Sequence, residues 1–147
     1  MVQDALRKVS FYEALTPGEL EELGRGFEKH PMTKGETLIT QGKAGGVFYI
    51  LASGSVGVYQ AGKLLDTKIA TIGPGSFFGE MALLNDDPRS ANVVCEENGI
   101  VFTLTQETFQ KVILRNPKIA ALVRQTAGER KSVNREAELN RRSGKTP

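Results

Sequence analysis

The chain has 147 residues, of which 39% are hydrophobic and 16 are glycine, and its formal net charge is +2. This length fits one domain with a sizeable core, and the glycine content is typical of a turn-rich β protein rather than of a disordered chain. The single cysteine, Cys95, excludes an internal disulfide and suits a reducing compartment. No stretch approaches the roughly 20 apolar residues of a membrane helix, and no signal-peptide pattern opens the chain. We therefore expect a cytoplasmic protein without a membrane segment.

The charge is unevenly distributed along the chain. From Lys118 onward there are eight Lys and Arg residues and three Glu residues, a net charge of +5, which leaves −3 for residues 1–117. A basic end can contact nucleic acid or a membrane surface. Here the signs are interleaved, as in Glu129-Arg130-Lys131, which favours the solvated face of a helix. No nucleic-acid-binding motif accompanies these charges.

The first 28 residues read as helical. Apolar residues recur at spacings of three to five, which predicts two short helices within residues 3–27. Thr16-Pro17-Gly18-Glu19 separates them, with Thr16 as the N-cap, Pro17 at the first helical position and Glu19 completing a capping box. The second helix is predicted to end near Gly24-Arg25-Gly26.

From Lys29 the pattern changes to short strands. Turn residues, among them Ser53-Gly54 and Ala61-Gly62-Lys63, separate β-branched and aromatic runs at intervals of about ten residues, which indicates a barrel or a sandwich. The predicted strands cover residues 37–40, 47–51, 55–59 and 64–72. Many short strands of this kind are typical of a jelly roll.

After residue 91 the sequence predicts a hairpin and then two helices. Strands at 92–95 and 100–104 flank Glu96-Glu97-Asn98-Gly99, and Asn-Gly is a strong hairpin signal. Thr105 is the expected cap of a helix that Asn116-Pro117 interrupts. A long final helix is predicted from residue 118 to about 140, with an apolar face that thins in its second half. That half is held weakly by the core and is free to move.

Catalytic and metal chemistry find no support in the chain. His30 is the only histidine, and no second imidazole or cysteine and carboxylate cluster stands near it at ligand spacing. It also lacks a nucleophile of known pattern, so we interpret it as structural. Gly73-Pro74-Gly75 is a turn rather than a Walker loop, because no Gly-Lys-Ser/Thr follows.

Residues 78–91 combine the features of a nucleotide site. Gly79 lets backbone approach a ligand closely because it has no Cβ, and Glu80 begins a helical turn whose N-terminus suits an anion. A carboxylate beside a phosphate site often accepts sugar hydroxyls. Pro88 ends the helical option, and Arg89 offers a planar fork that matches phosphate oxygens. One anion and one hydroxylated sugar together indicate a nucleotide; the alternative is an ordinary turn with Arg89 as a surface charge.

This stretch resembles a known family. Phe-Gly-Glu-Met-Ala-Leu-Leu at 78–84, followed by Pro-Arg-Ser-Ala at 88–91, is similar to the phosphate-binding cassette of cyclic nucleotide-binding domains. That family includes the bacterial catabolite activator, the regulatory subunits of cAMP-dependent protein kinase and cyclic-nucleotide-gated channels. One departure is Lys43-Ala44-Gly45-Gly46, where relatives usually carry acidic residues.

The resemblance implies a mainly β fold with flanking helices. It predicts one domain over residues 1–147: N-terminal helices at 1–28, a β jelly-roll barrel at 29–104 that contains the cassette at 78–91 with its short helix, two C-terminal helices at 105–141 and a tail at 142–147.

The resemblance also implies roles for individual residues. Arg89 pairs with the exocyclic phosphate oxygens, and Glu80 accepts the ribose 2′-hydroxyl while Gly79 lets the sugar in. The remaining expected ligand-binding positions are N–H groups around Met81, Ala82 and Ala91, the pocket wall at Ile69 and Ala70, and Asn134 and Arg135 near the purine. Two exposed polar residues on a solvated helix remain the alternative for that last pair. Ser90 resembles the residue of the cAMP-binding bacterial activators, and its hydroxyl could also reach a guanine amino group. The expected ligand is cAMP, with cGMP open, and no cofactor is expected.

The resulting functional hypothesis is a non-catalytic cyclic nucleotide sensor. Ligand binding is expected to rearrange the C-terminal helices and so control a protein partner or a fused effector domain, because the chain holds no output domain. One rival is the sensor half of a catabolite-activator-like transcription factor that dimerises through the final helix. Another is a scaffold that has lost its ligand, which the intact Gly79, Glu80 and Arg89 oppose. An enzyme is disfavoured because no acid and base pair with a stated role is found.

Overall fold

The computed structural model describes residues 12–42, 46–62, 64–80 and 91–142, with side chains from residue 13 to residue 131 within these ranges. The predicted helix before residue 12 and most of the cassette, residues 81–90, lie outside the described residues. None of the helices in the described ranges is both long enough and apolar enough to span a membrane.

The N-terminal part is helical, as predicted. A 3₁₀ turn at Tyr12–Ala14 precedes helix α1 (Pro17–Gly26). The capping box is confirmed, because the Glu19 backbone N–H donates to Thr16 Oγ1 at 3.2 Å and the Thr16 N–H donates to the Glu19 carboxylate at 2.9 Å. Leu23 is fully buried on the inner face of the helix. Burial of this side chain fixes α1 against the rest of the fold.

Six strands form one antiparallel sheet. They are β1 (Glu28–Met32), β2 (Thr37–Ile39), β3 (Val47–Gln60), β4 (Thr67–Ile72), β5 (Phe77–Phe78) and β6 (Asn92–Thr105). The main path runs β1-β6-β3-β4, while β2 pairs with β6 and β5 pairs with β3. Over the described strands the sheet is jelly-roll-like but open, rather than closed into the expected barrel. The mainly β class with flanking helices is confirmed.

Two predicted turns are wrong. Ser53-Gly54 and Glu96-Glu97-Asn98-Gly99 do not end strands, because β3 and β6 run through them for 14 residues each. The two long strands pair with each other along their length, and the irregularities of their register lie between Leu51 and Val56. Asn98 makes no tight hairpin turn; its side-chain oxygen accepts from the Lys34 N–H at 2.7 Å. The glycines therefore allow a local irregularity and a close crossing of strands rather than a reversal of the chain.

Buried side chains form two apolar clusters. The first lies between the sheet and the helices and includes Phe48, Leu104, Phe109 and Ile119. The second cluster is formed by side chains of the strands themselves and contains Leu51, Val56, Phe78, Val93, Cys95 and Val101. Burial raises the pKa of the Cys95 thiol, so that this side chain stays protonated and unreactive. The two clusters thus pack the sheet both against the helices and against itself.

The C-terminal helices are close to their predicted positions. Thr105 caps α2 (Gln106–Thr108) by accepting from the Thr108 N–H, which confirms the predicted cap, and α2 continues into a π-helical turn at Phe109–Ile113. Helix α3 (Pro117–Arg142) starts one residue before and ends two residues after its expected bounds of 118 and 140.

Asn116 joins α3 to the N-terminal helices. Its Oδ1 accepts from the backbone N–H groups of Lys118 and Ile119, at 3.1 and 3.3 Å, and so caps the helix. Its Nδ2 donates to the Ala14 carbonyl and to the Glu19 carboxylate, both at 3.0 Å. One side chain therefore fixes the start of α3 relative to α1.

Replacing Gly128 by alanine is expected to stabilise the domain. Gly128 is an exposed residue in the interior of α3, and a Cβ added there would meet no heavy atom within 4 Å. Alanine favours a helix over glycine by about 0.5–1 kcal/mol, because it loses less backbone entropy on folding. Urea denaturation of both proteins measures the difference. A lower unfolding midpoint for the variant would mean that α3 is not helical at this position in solution.

Candidate functional site

Gly79 and Glu80 are held in place by the short strand that precedes them. β5 pairs with the first part of β3, with Phe78 opposite Tyr49 and Phe77 opposite Ile50, and both phenylalanines are 2% exposed. The Phe78 ring stacks on that of Tyr49, with centroids 4.6 Å apart. Gly79 then takes φ +87°, a left-handed conformation that favours glycine. The position of Glu80 is thus set by the buried phenylalanines and the left-handed glycine that directly precede it.

Glu80 is a buried carboxylate whose charge is balanced from the final helix. Its side chain is 2% exposed, and it accepts a hydrogen bond and forms an ion pair with the guanidinium of Arg130 on α3. Arg130 also lies over the Phe77 ring, 5.3 Å from its centroid. A carboxylate buried without a partner is strongly destabilising. The pair therefore ties α3 to the residues that follow β5.

Arg130 is a site residue that the sequence reasoning missed. Its neighbours in Glu129-Arg130-Lys131 suggested a solvated face, which is wrong for Arg130, since three quarters of its side chain is buried. The available signal was helical periodicity, because Arg130 follows the buried Val123 and Ala127 at spacings of seven and three. A cation on an apolar helical face requires a buried anion, and Glu80 is that anion.

The proposed pocket wall lies on β4. In the pairing of β3 with β4, Val58 stands opposite Ala70 and Tyr59 opposite Lys68, which leaves Ile69 in a β-bulge. Residues directly opposite each other share a face of the sheet. Ala70 is therefore on the face of Val58, which packs against the inner cluster, and Ala70 itself is exposed there. α3 also lies against β4, so that β5, β4 and α3 all border the same region.

The remaining predicted site residues are only partly described. Ala91, at the start of β6, is 6% exposed. Asn134 and Arg135 belong to α3, and the helical repeat places position 134 one turn beyond Arg130 on the same face; their side chains are not among those described. Met81, Ala82, Arg89 and Ser90 lie outside the described residues.

The side chains that could hold a metal ion, His30 among them, do not form a metal site in the described ranges. Within them no group of three or more His, Cys, Asp and Glu side chains is arranged to hold a metal ion. His30 instead makes a structural contact, with its Nε2 2.6 Å from the Glu36 carboxylate between β1 and β2. That hydrogen bond holds the pKa of Glu36 below its ordinary value.

Comparison with known proteins assigns the family. The profile of the cyclic nucleotide-binding domain matches residues 29–116, more than half of the chain. The chain is 37% identical over 115 residues to the cAMP-dependent protein kinase regulatory subunit of Colletotrichum orbiculare, covering 77% of this chain and 28% of that protein. It is also 37% identical over 111 residues to human cGMP-dependent protein kinase 2, covering 74% of this chain and 15% of the kinase.

A solved structure agrees with these matches. The regulatory domain of Toxoplasma gondii PKA, a co-crystal with cAMP, superposes with a TM-score of 0.77 at 25% identity, covering 85% of this chain and 48% of that one. The chain thus belongs to the cyclic nucleotide-binding domain family. It spans less than a third of the length of the two kinase-related proteins that it matches.

Proposed function

We propose that the chain binds a 3′,5′-cyclic purine nucleotide, with cAMP as its ligand, and acts as a non-catalytic sensor. The observation that carries this proposal is the buried Glu80 carboxylate directly after the left-handed Gly79. A carboxylate in this setting is a strong acceptor for a hydroxyl group. In the family's cassette this position accepts the ribose 2′-hydroxyl. Ligand binding therefore explains why a charged side chain is buried here.

The phosphate half of the site is assigned by the family's pattern. Arg89 pairs with the exocyclic phosphate oxygens, and Ser90 together with the N–H groups of Met81, Ala82 and Ala91 completes the anion site. The burial of Ala91 supports this arrangement, because the last residue of the proposed cassette is then withdrawn from solvent.

The Glu80–Arg130 ion pair supports a link between the ligand and α3. When the ribose hydroxyl bonds to Glu80, it shares the carboxylate that now holds Arg130, and the base meets the face of α3 beyond Arg130, where Asn134 lies and Arg135 follows. A ligand changes the position of a helix only as far as it binds one arrangement better than another. Contacts of the sugar and the base with Glu80 and α3 provide such a difference.

The sensor acts through a change in the position of α3, to which a partner protein or a fused domain responds. The 37% identity to a kinase regulatory subunit supports this mode of action. Binding alone suffices for it, so no catalytic group is required. A cytoplasmic location fits a single buried cysteine in a chain of this kind.

The choice of cAMP rests on the relatives. One of them is a cAMP-dependent regulatory subunit and another is a domain crystallised with cAMP, whereas the cGMP-dependent kinase is equally identical in sequence. Calorimetric titration with cAMP, cGMP and 5′-AMP tests the choice. Saturable binding of cAMP at micromolar concentration or below, with 5′-AMP much weaker, is expected. Tighter binding of cGMP would identify cGMP as the ligand of the same site. If neither nucleotide binds, the alternative of an interaction scaffold without a ligand is favoured.

Replacing Arg89 by alanine is expected to weaken cAMP binding ten- to over a hundredfold. The charge-assisted contact of a guanidinium with a phosphate contributes about 1.5–3 kcal/mol. Calorimetry measures the change, with Arg115→Ala as the matched control, because Arg115 is exposed between the π-helical turn and α3. An unchanged titration midpoint for the Arg89 variant would remove Arg89 from the phosphate site.

A further inference from the structure

Three polar side chains on the face of β3 and β4 opposite to Ala70 join three strands. The Glu96 carboxylate on β6 accepts from the Tyr59 hydroxyl on β3 at 2.6 Å, and from Lys68 Nζ on β4 at 2.8 and 3.0 Å. We call these three residues the outer clamp. Since β3 lies between β6 and β4 in the sheet, the clamp connects two strands that do not pair with each other.

The Glu96 side chain lies directly against the backbone of β3. A Cβ added to Gly57 would be 2.7 Å from Glu96 Cδ and 2.7 Å from the Tyr59 ring. No ordinary side chain fits there while Glu96 keeps this position. The glycine thus lets the carboxylate cross β3 at close range and reach Lys68.

The clamp is charged at neutral pH. The hydrogen bond from Lys68 holds the pKa of Glu96 below its ordinary value, and the same contact raises the pKa of Lys68. The hydrogen bond to Glu96 raises the pKa of Tyr59, so that its hydroxyl remains a donor. Lys68 and Glu96 are 42% and 25% exposed, so that solvent weakens their attraction without abolishing it.

The backbone pairing of β4 is interrupted beside Lys68. Among the described strands β4 pairs only with β3, through five residue pairs, and the bulge at Ile69 directly follows Lys68. A bulge leaves one residue unpaired and locally disrupts the hydrogen bonds between the two strands. The clamp holds the residue just before the bulge and therefore fixes where Ile69 and Ala70 stand.

We propose that the outer clamp positions the Ile69 and Ala70 wall against the purine base of the bound nucleotide. This inference rests on the proposed function, because it takes the region bordered by β4 and Glu80 as the nucleotide pocket. Tyr59, Lys68 and Glu96 lie on the opposite face of the strand and contact no ligand. They are positioning residues, and their effect falls on the base rather than on the sugar or the phosphate.

The test compares cAMP with ribose 3′,5′-cyclic phosphate, which lacks the base. Glu96→Gln and Lys68→Met are expected to weaken cAMP binding about three- to tenfold, or 0.7–1.4 kcal/mol, and to leave binding of the base-free ligand unchanged. Lys68→Arg is expected to retain the affinity for cAMP, because it preserves the charge and the donors. Glu97→Gln is the matched control, since the Glu97 carboxylate instead accepts from Ser55 Oγ at 2.7 Å.

Gly57→Ala provides a second variant that keeps every charge. Its Cβ displaces the Glu96 carboxylate, so the same selective loss of cAMP affinity is expected. Equal weakening of both ligands would show that the clamp only stabilises the fold, and unchanged cAMP binding in all variants would show that it does not position the wall; either result overturns the proposal. Failure of the unmodified protein to bind cAMP or cGMP would instead overturn the proposed function itself.

Discussion

Replacing Glu80 by alanine is expected to weaken cAMP binding by about 1.5–3 kcal/mol, ten- to over a hundredfold. The variant removes the acceptor for the ribose 2′-hydroxyl from a site that is 1% exposed. Discrimination against 2′-deoxy-cAMP should disappear at the same time, because the 2′-hydroxyl is the group of the ligand that is expected to contact this carboxylate. Calorimetric titration of the wild type and the variant with both ligands measures the coupling free energy between the Glu80 carboxylate and the 2′-hydroxyl.

The same substitution leaves Arg130 without its anion, and this effect needs to be separated from the loss of binding. Arg130 is three quarters buried, so the orphaned guanidinium should lower the free energy of unfolding by up to about 3 kcal/mol. Adding Arg130→Met removes the unpaired charge and is expected to recover much of that stability, but not the affinity for cAMP. Glu129→Gln, on the exposed face of α3, is the matched control. Recovery of tight cAMP binding in the double variant would show that Glu80 does not hold the ribose.

Replacing Gly99 by alanine is expected to be strongly destabilising, because the glycine lies in close contact with the backbone of β3. A Cβ at Gly99 would lie 2.0 Å from the Ser53 carbonyl oxygen and 2.7 Å from the Gly54 nitrogen. Both are backbone atoms of β3, so that the strands must separate to admit one methyl group. We expect a loss of about 4 kcal/mol or more, a large part of the 5–15 kcal/mol that stabilises an ordinary domain.

Thermal and urea denaturation measure this loss where the variant remains soluble, and the soluble yield reports it where the variant does not. Gly54→Ala tests the same crossing from the other strand, because Gly54 has φ +83° and its Cβ would be 2.6 Å from the Glu97 carbonyl oxygen. Gly73→Ala is the control, since a Cβ there meets nothing within 4 Å. Wild-type stability for Gly99→Ala would mean that β3 and β6 do not cross closely at this point.

The local signals in the sequence were read correctly where short-range physics sets the structure. The Thr16 capping box, the Thr105 cap and the bounds of α3 each depend on residues within one or two helical turns. The glycine and carboxylate of the predicted cassette are likewise adjacent residues, and the family that their motif resembles is the one that the family profile and the relatives confirm. Such features require no knowledge of what else packs nearby.

The errors arose where distant segments compete with a local preference. Asn98-Gly99 has the composition of a hairpin turn, yet pairing with β1 and β3 on both sides extends β6 through it. The Asn98 side chain then accepts from Lys34, 64 residues away, rather than completing a turn. A backbone that gains hydrogen bonds on both edges outweighs the small free energy of a favoured turn.

The sequence by itself determined the class of the fold, the helix caps and the protein family, because each is signalled by residues close together in the chain. Only the tertiary structure decided that Glu80 is buried against Arg130, 50 residues away, and that Glu96 crosses β3 to hold Lys68. Neither contact is signalled by the residues next to these charges in the sequence. Packing removes Glu80 from water and partly covers the other three side chains, and a buried charge is stable only with a partner that the fold brings to it.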